Sequence, residues 1–265
     1  MKIKANGITI NYQVDGPDNA PCLVFSNSLA TTIAMWDEQA STLKNKFRVL
    51  RYDQRGHGET EAPAGRYAFD MLLADALGLL DALSIKKAHF AGLSMGGATA
   101  LGLAEKHPDR FDRIIVCDSR CQSTPQSSQQ WEERIVIAKD KGTEALVEPT
   151  IARWFPPETV AKNPPHLDKV RGMIRNTPAN GFIGCTAALL CIGCRCGEAS
   201  SSVHGGRERR RDACRHAQAQ RKASGLAFCR TAWRRSHLQY GPAGGIHPRH
   251  YRLLELSAKY RLSVK

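Results

Sequence analysis

The segment Gly92-Leu93-Ser94-Met95-Gly96-Gly97 places a serine in the pattern Gly-x-Ser-x-Gly. An apolar, strand-like stretch precedes it and an amphipathic, helix-like stretch follows it, which is the context that a nucleophilic serine on a sharp turn requires. Gly92 and Gly96 flank the turn because side chains there would collide. We therefore predict that Ser94 is an exposed nucleophile. The alternative is a tight structural turn that contains a serine by chance.

A serine that attacks a carbonyl carbon needs hydrogen-bond donors for the oxygen that becomes negative. The backbone N–H of Met95, directly after the nucleophile, is predicted to be one donor. The second is expected from the loop after an earlier strand, "SNSLATT" at residues 26–32. Leu29 is the candidate by its position in that loop, and an ordinary Asn/Ser turn is the alternative.

The segment "YDQRGHGE" contains a histidine and an aspartate, Asp53 and His57, that could be mistaken for a catalytic acid and base. In proteins with this serine turn, the acid and the base follow the nucleophile along the chain. We therefore interpret residues 52–59 as a scaffold turn in which the glycines serve the backbone conformation. We expect no metal and no cofactor at the active site around Ser94.

The elements that must position these residues alternate between strand and helix patterns over residues 1–120. The clearest helix pattern spans residues 69–83, where apolar residues recur at i, i+3 and i+4. Such alternation predicts an α/β fold with a mostly parallel sheet and helices on both faces. Residues 121–189 are mostly helical in pattern and interrupted by prolines, so we interpret them as a helical cap inserted after a strand. The strand-like segments are "ITINYQV", "PCLVFSNS", "FRVLRYD", "KKAHFAGLS" and "RIIVCDS".

Residues 1–189 resemble the 3-oxoadipate enol-lactonases, which are α/β-hydrolases. The segments that carry the resemblance are "LVFSNSLATTIAMWDEQ", "RVLRYDQRGHGETEAPAGRY", "LLDALSIKKAHFAGLSMGGATALGLAEKHPDRFDRIIVCDS" and "ARWFPPETVAKNPP" with "NTPANGFIGCTAAL". The SNSL and RWF segments are its more specific marks, whereas Gly-x-Ser-x-Gly and RGHG place the chain only in the superfamily. Ala30 departs from the pattern, because a glycine is expected after SNSL.

The resemblance implies hydrolysis of an enol-lactone to 3-oxoadipate in the breakdown of aromatic compounds. Ser94 would attack the lactone carbonyl, a histidine would take its proton, an aspartate would orient that histidine, and Met95 and Leu29 would hold the oxyanion. Trp131 and Trp154 of the cap would shape the pocket, although plain packing explains them equally well. A general carboxylester hydrolase of the same fold is the alternative.

The implied partner is a small lactone or ester, not nucleic acid and not a membrane. The N-terminal segment has no apolar stretch of the signal-peptide type, and no window approaches the length of a membrane span. We therefore expect a cytoplasmic protein.

The composition changes near residue 189. Of the 265 residues, 190–265 carry 16 Lys/Arg and 4 Asp/Glu, whereas residues 1–189 carry 22 and 21. Most of the net charge of +13 therefore belongs to the last segment. It is also rich in cysteine, and we expect it to be poorly ordered.

Three hypotheses account for residues 190–265. The first is a zinc or nucleic-acid module, but the cysteine and histidine spacing matches no common finger. The second is a basic, disordered tail, which would leave the hydrolase without its last strands. The candidate zinc ligands of the first hypothesis are Cys191, Cys194, Cys196, Cys214 and His216.

The third hypothesis is a frame-shifted C-terminus, and we favour it. With codons shifted forward by one base and wobble bases left free, "FCRTAWRRSHLQYGPAGGI" permits "SVVLPGAGHISNMDRPEAF", which resembles the strand and loop that bear the catalytic histidine in the family. In the same way "GGRERRRDAC" permits "AGENDGATP", which resembles the acid-bearing loop. His237 falls where the family histidine would be encoded and Asp212 lies near the acid position. This hypothesis predicts that the chain is weakly active or inactive.

Overall fold

The computed structural model describes residues 1–120 and 122–192, together with the backbone of 226–229. Seven strands in these residues form one sheet with the spatial order β1-β2-β4-β3-β5-β6-β7. The first two strands run antiparallel to their neighbours, and β4, β3, β5, β6 and β7 run parallel to one another. The strands are β1 (Lys2–Ala5), β2 (Ile8–Asp15), β3 (Cys22–Ser26), β4 (Arg48–Tyr52), β5 (Ala88–Leu93), β6 (Phe111–Cys117) and β7 (Leu226–Cys229).

Helices cover both faces of the sheet, as the sequence predicts. Along β3 the side chain of Val24 is buried with α2 and α3 on one face, whereas Leu23 and Phe25 are buried with α1 on the other. Phe25 stacks on Trp36, with 4.6 Å between the ring centroids. The helices on the two faces are α1 (Asp37–Leu43), α2 (Phe69–Ala82) and α3 (Met95–Lys106).

Five further helices follow β6 and pack over the carboxyl edge of the sheet in one apolar cluster with Leu29 and Met95. The prolines in this segment begin helices rather than break them, because Pro125, Pro157 and Pro165 stand in first turns, where a missing N–H costs nothing. These helices are α4 (Pro125–Lys141), α5 (Val147–Trp154), α6 (Pro157–Lys162), α7 (Pro165–Arg175) and α8 (Ala179–Leu190).

Strand β7 lies within the segment where we expected the C-terminal strands of the fold to be missing or replaced by an irregular basic tail. The backbone of Leu226–Cys229 pairs in parallel with β6, and Leu226 lies opposite Ile114. A run of four residues is too short to show a strand period, so the neighbouring edge of β6 decides its conformation. Residues 190–192 of the predicted tail are also described, with Leu190 as the last residue of α8, and residues 193–225 and 230–265 lie outside the described residues.

Candidate active site

Ser94 lies between the end of β5 and the start of α3 with a backbone conformation that non-glycine residues rarely adopt. Its φ is 53° and its ψ is −108°. The N–H of Ser94 donates to the carbonyl of Cys117 on β6 at 2.9 Å, and its carbonyl accepts from the N–H of Ala98 at 2.8 Å. These bonds hold a strained turn that leaves the Ser94 side chain partly exposed.

The glycines around Ser94 are required by contacts with backbone atoms. A Cβ on Gly92 would lie 2.0 Å from the carbonyl oxygen of Gly96. A Cβ on Gly96 would lie 2.2 Å from the carbonyl oxygen of Ser26 at the end of β3. The start of α3 therefore passes directly beside the loop that follows β3. This contact brings the N–H of Met95, the first residue of α3, to the same edge of the sheet as that loop.

In the loop after β3, one backbone N–H among residues 28–31 has no acceptor within the part of the chain that the structure describes. The N–H of Ser28 donates to Sδ of Met35 at 3.3 Å, and the N–H of Thr31 donates to the carbonyl of Ser28 at 3.3 Å. The N–H of Ala30 donates to Nε2 of His57 at 2.9 Å. Within the described part of the chain, the N–H of Leu29 has no acceptor. This geometry supports the assignment of Leu29 as an oxyanion donor.

A buried polar network fastens this loop to α3. Asn27 donates from Nδ2 to the carbonyl of Thr31 at 2.7 Å, and its Oδ1 accepts from the N–H of Gln54 at 2.9 Å. Gln54 donates from Nε2 to the carbonyl of Asn27 at 2.6 Å, and its Oε1 accepts from the hydroxyl of Thr99 at 3.2 Å. Sequence reasoning did not identify Asn27, Gln54 or Thr99. The only signal was the SNSL segment itself, whose asparagine closes this loop.

Residues 52–57 of the turn at 52–59 are buried, whereas Gly58 and Glu59 are exposed. Asp53 accepts from the N–H of Ile33 at 2.7 Å and from Nδ2 of Asn11 at 2.7 Å. Burial raises the pKa of Asp53, although these donors oppose the effect. His57 is completely buried, and burial lowers its pKa to about 4. Both side chains are therefore committed to contacts inside the scaffold.

The same turn is anchored to α2 and to the cap. Arg55 donates to Asp75 of α2 from Nε at 2.8 Å and from a terminal nitrogen at 2.6 Å, and both side chains are buried. On the other side, Gly56 lies against Gly181 of α8. The turn is thus the junction between the sheet, α2 and the cap.

The two predicted pocket tryptophans lie in the cap. Both are partly buried and pack against the cluster that contains Leu29 and Met95. The guanidinium carbons of Arg134 and Arg153 lie 4.8 Å and 5.6 Å from the ring centroid of Trp131. Trp131 and Trp154 are therefore on the cap side of the cluster above the Ser94 turn, and their role in a substrate pocket stays a prediction.

Several predicted residues lie outside the described part of the chain. They are His237 and Asp212, the candidate base and acid, and Cys194, Cys196, Cys214 and His216, the candidate zinc ligands. Cys191 is described and exposed. Residues 1–120 and 122–192 contain no group of three or more His, Cys, Asp or Glu side chains placed so that they could hold a metal ion. No helix among these residues is long and apolar enough to cross a membrane.

Comparison with known proteins agrees with this fold. Residues 21–159 match the α/β hydrolase fold family, and the chain belongs to that family. Two curated relatives come from Acinetobacter baylyi. 3-Oxoadipate enol-lactonase 1 is 39% identical over 189 residues, which cover 71% of this chain and 70% of that protein. 3-Oxoadipate enol-lactonase 2 is 34% identical over 187 residues, which cover 71% and 69%.

A solved structure gives the same result. The enol-lactonase from Burkholderia xenovorans LB400 superposes with a TM-score of 0.69 at 38% identity and covers 72% of this chain and 74% of its own. The chain is therefore an α/β hydrolase whose homologues include 3-oxoadipate enol-lactonases.

Proposed function

We propose that this chain derives from a serine-dependent enol-lactone hydrolase and carries the nucleophile half of its active site. The observation that carries the proposal is the pairing of the strained Ser94 turn with the uncommitted N–H of Leu29 in a loop fixed beside it. Similarity to the enol-lactonases of Acinetobacter baylyi supports the substrate class.

The proposed reaction is acyl transfer in two steps. Oγ of Ser94 attacks the lactone carbonyl carbon while a histidine base takes the hydroxyl proton, and the N–H groups of Met95 and Leu29 bind the resulting oxyanion. Collapse of this intermediate breaks the ring C–O bond while the histidine returns its proton to the leaving oxygen, and the released enol becomes a ketone. Water, deprotonated by the same base, then attacks the acyl-enzyme and releases a carboxylate together with Ser94. His237 is the candidate base and Asp212 the candidate acid.

We further propose that residues 190–265 are the frame-shifted remainder of this hydrolase, which would leave the chain weakly active or inactive. The charge asymmetry on the two sides of residue 189 and the enol-lactonase-like strings of the shifted frame support this. Resequencing the coding DNA around codons 185–200 tests it, because a missing or extra base is expected there. The proposal would be contradicted if the frame shifted by one base in the resequenced DNA did not encode the two enol-lactonase-like strings.

The functional experiment compares the 265-residue chain with the frame-restored chain, each with Ser94→Ala as its control. We expect the frame-restored chain to hydrolyse the enol-lactone and to lose that activity with Ser94→Ala. Equal turnover by the 265-residue chain, abolished by Ser94→Ala, would refute the proposed inactivity. Turnover of p-nitrophenyl acetate without turnover of the lactone would favour a general carboxylester hydrolase instead.

A further inference from the structure

The buried imidazole of His57 hydrogen-bonds the loop that follows β3. Its Nε2 lies 2.9 Å from the backbone nitrogen of Ala30, the residue after the candidate oxyanion donor Leu29. We infer that His57 is a positioning residue that holds this loop in its oxyanion-binding conformation. The inference rests on the proposed function, because it assigns a role in the same site. His57 would not touch the reacting atoms.

The partners of His57 define which ring nitrogen carries the proton. Nδ1 lies 3.1 Å from the carbonyl oxygen of Arg55, which can only accept, so Nδ1 must donate. Nε2 then keeps its lone pair and accepts from the N–H of Ala30. Cys185 of α8 donates its thiol to the same Arg55 carbonyl at 3.2 Å, and its Sγ lies 4.0 Å from Nδ1, so Cys185 contacts that side of the ring and does not compete for Nε2. Burial also disfavours the charged imidazolium, which could not accept this bond.

The bond acts on the one residue of the loop whose backbone is unusual. Ala30 has a φ of 59°, a left-handed conformation that alanine rarely adopts. This conformation turns the N–H of Ala30 toward the scaffold, whereas the N–H of Leu29 stays uncommitted among the described residues. Without an acceptor at residue 57, Ala30 is free to return to a negative φ, and the peptide that bears the donor of Leu29 would rotate with it.

His57 itself is held from two directions, so it can serve as a fixed point. Its own N–H donates to the carbonyl of Gln54 at 2.9 Å, and Gln54 is bonded in turn to Asn27 at the start of the loop. Three bonds therefore connect Gln54 and His57 of the scaffold turn to the loop after β3, two at Asn27 and one at Ala30, on either side of Leu29. A histidine that only filled the core would need no such acceptor geometry.

Nuclear magnetic resonance on the uniformly ¹⁵N-labelled 265-residue chain tests the bond without any need for turnover. We expect a through-hydrogen-bond coupling between the nitrogen of Ala30 and Nε2 of His57, and a neutral imidazole protonated on Nδ1 at pH 7. An imidazole protonated on Nε2, or the absence of this coupling in a folded sample, would overturn the inference. This readout stands even where the proposed function fails.

Kinetics of a preparation that hydrolyses the lactone test the role. We expect His57→Met, which has no acceptor, to lower kcat by about 100-fold with KM nearly unchanged, as loss of one oxyanion donor does. His57→Gln, whose amide oxygen can accept from Ala30, should recover most of that loss. Cys185→Ala is the control, because it removes the contacts of its thiol to the Arg55 carbonyl and to Nδ1 of His57 but leaves the bond from Ala30 to Nε2, and its kcat should stay near that of the parent.

Three results would overturn the role. One is an unchanged kcat in a folded His57→Met protein, and another is an equal kcat loss in the glutamine and methionine variants. The third is a rise in KM with kcat unchanged, which would indicate an effect on substrate binding instead. If His57→Met does not fold, the glutamine variant and the Ala30 coupling decide the question.

Discussion

Gly56 and Gly181 touch backbone to backbone, which docks the cap helix α8 onto the scaffold turn beneath the Ser94 site. A Cβ on Gly181 would lie 1.8 Å from the carbonyl oxygen of Gly56, and one on Gly56 would lie 2.3 Å from Cα of Gly181. No side-chain rearrangement can relieve such contacts. The cap is therefore fixed to the core at a point four residues before Cys185 and one residue before His57 in the sequence.

Gly181→Ala should destabilise the protein by about 1–3 kcal/mol, because the added methyl group forces the two backbones apart. Gly172→Ala is the matched control, since a Cβ there has no neighbour within 4 Å inside α7. We expect that control to raise the free energy of unfolding by up to about 1 kcal/mol, because alanine favours the helix. Urea unfolding followed by circular dichroism measures both, and equal effects would contradict the backbone contact.

Ser94→Gly should raise stability and abolish hydrolysis together. The left-handed φ of Ser94 costs on the order of 1–3 kcal/mol, part of which glycine recovers. Ser84 provides the control, because it has a φ of 56° and is exposed after α2. Ser84→Gly should also stabilise the protein, but without an effect on turnover. A Ser94→Gly protein that is less stable than the parent would show that the turn is not strained.

Gln54→Met should lower the free energy of unfolding by about 1–3 kcal/mol, since it leaves the buried carbonyl of Asn27 without its donor. Thr99→Val should cost about 1 kcal/mol, because the hydroxyl that donates to Gln54 and to the carbonyl of Met95 is lost. The free energy of unfolding should fall less in the double variant than the sum of the two single losses, by about 0.5 kcal/mol or more. Gln54→Met combined with the exposed Thr42→Val is the additive control. Additivity of both pairs would refute coupling through this network.

The stability of the protein should fall as the pH falls from about 6.5 to about 4, in part through His57. The folded-state pKa of His57 is about 4, below the ordinary value of 6.5, so the unfolded chain binds the proton more readily in this window. The full difference corresponds to about 3 kcal/mol. The raised pKa of Asp53 changes stability in the opposite direction as the pH falls. The His57→Gln variant retains Asp53, so this effect cancels when the two proteins are compared. His57→Gln should therefore show a flatter pH profile of unfolding free energy.

The order of strands and helices over residues 1–120 is readable from the sequence because each element carries its own apolar period. The helix predicted over residues 69–83 is observed as α2 (Phe69–Ala82). The four-residue β7 was not predicted, since its pairing with β6 and not its own pattern decides its conformation. Ala30 is an intermediate case. The sequence marked it as a departure from an expected glycine, and its φ of 59° supplies the physical reason.

The sequence by itself determined the serine turn, because a bend this sharp requires glycines at fixed local positions on both sides of Ser94. The sequence also determined the family, because the segments that resemble the enol-lactonases extend to residue 189. Only the tertiary structure decided which loop N–H stays uncommitted and what holds it there. The bonds from Gln54 to Asn27 and from Ala30 to His57 join residues 27 positions apart. Pairing over such separations leaves no periodic trace in the sequence, so it becomes visible only when the chain is folded.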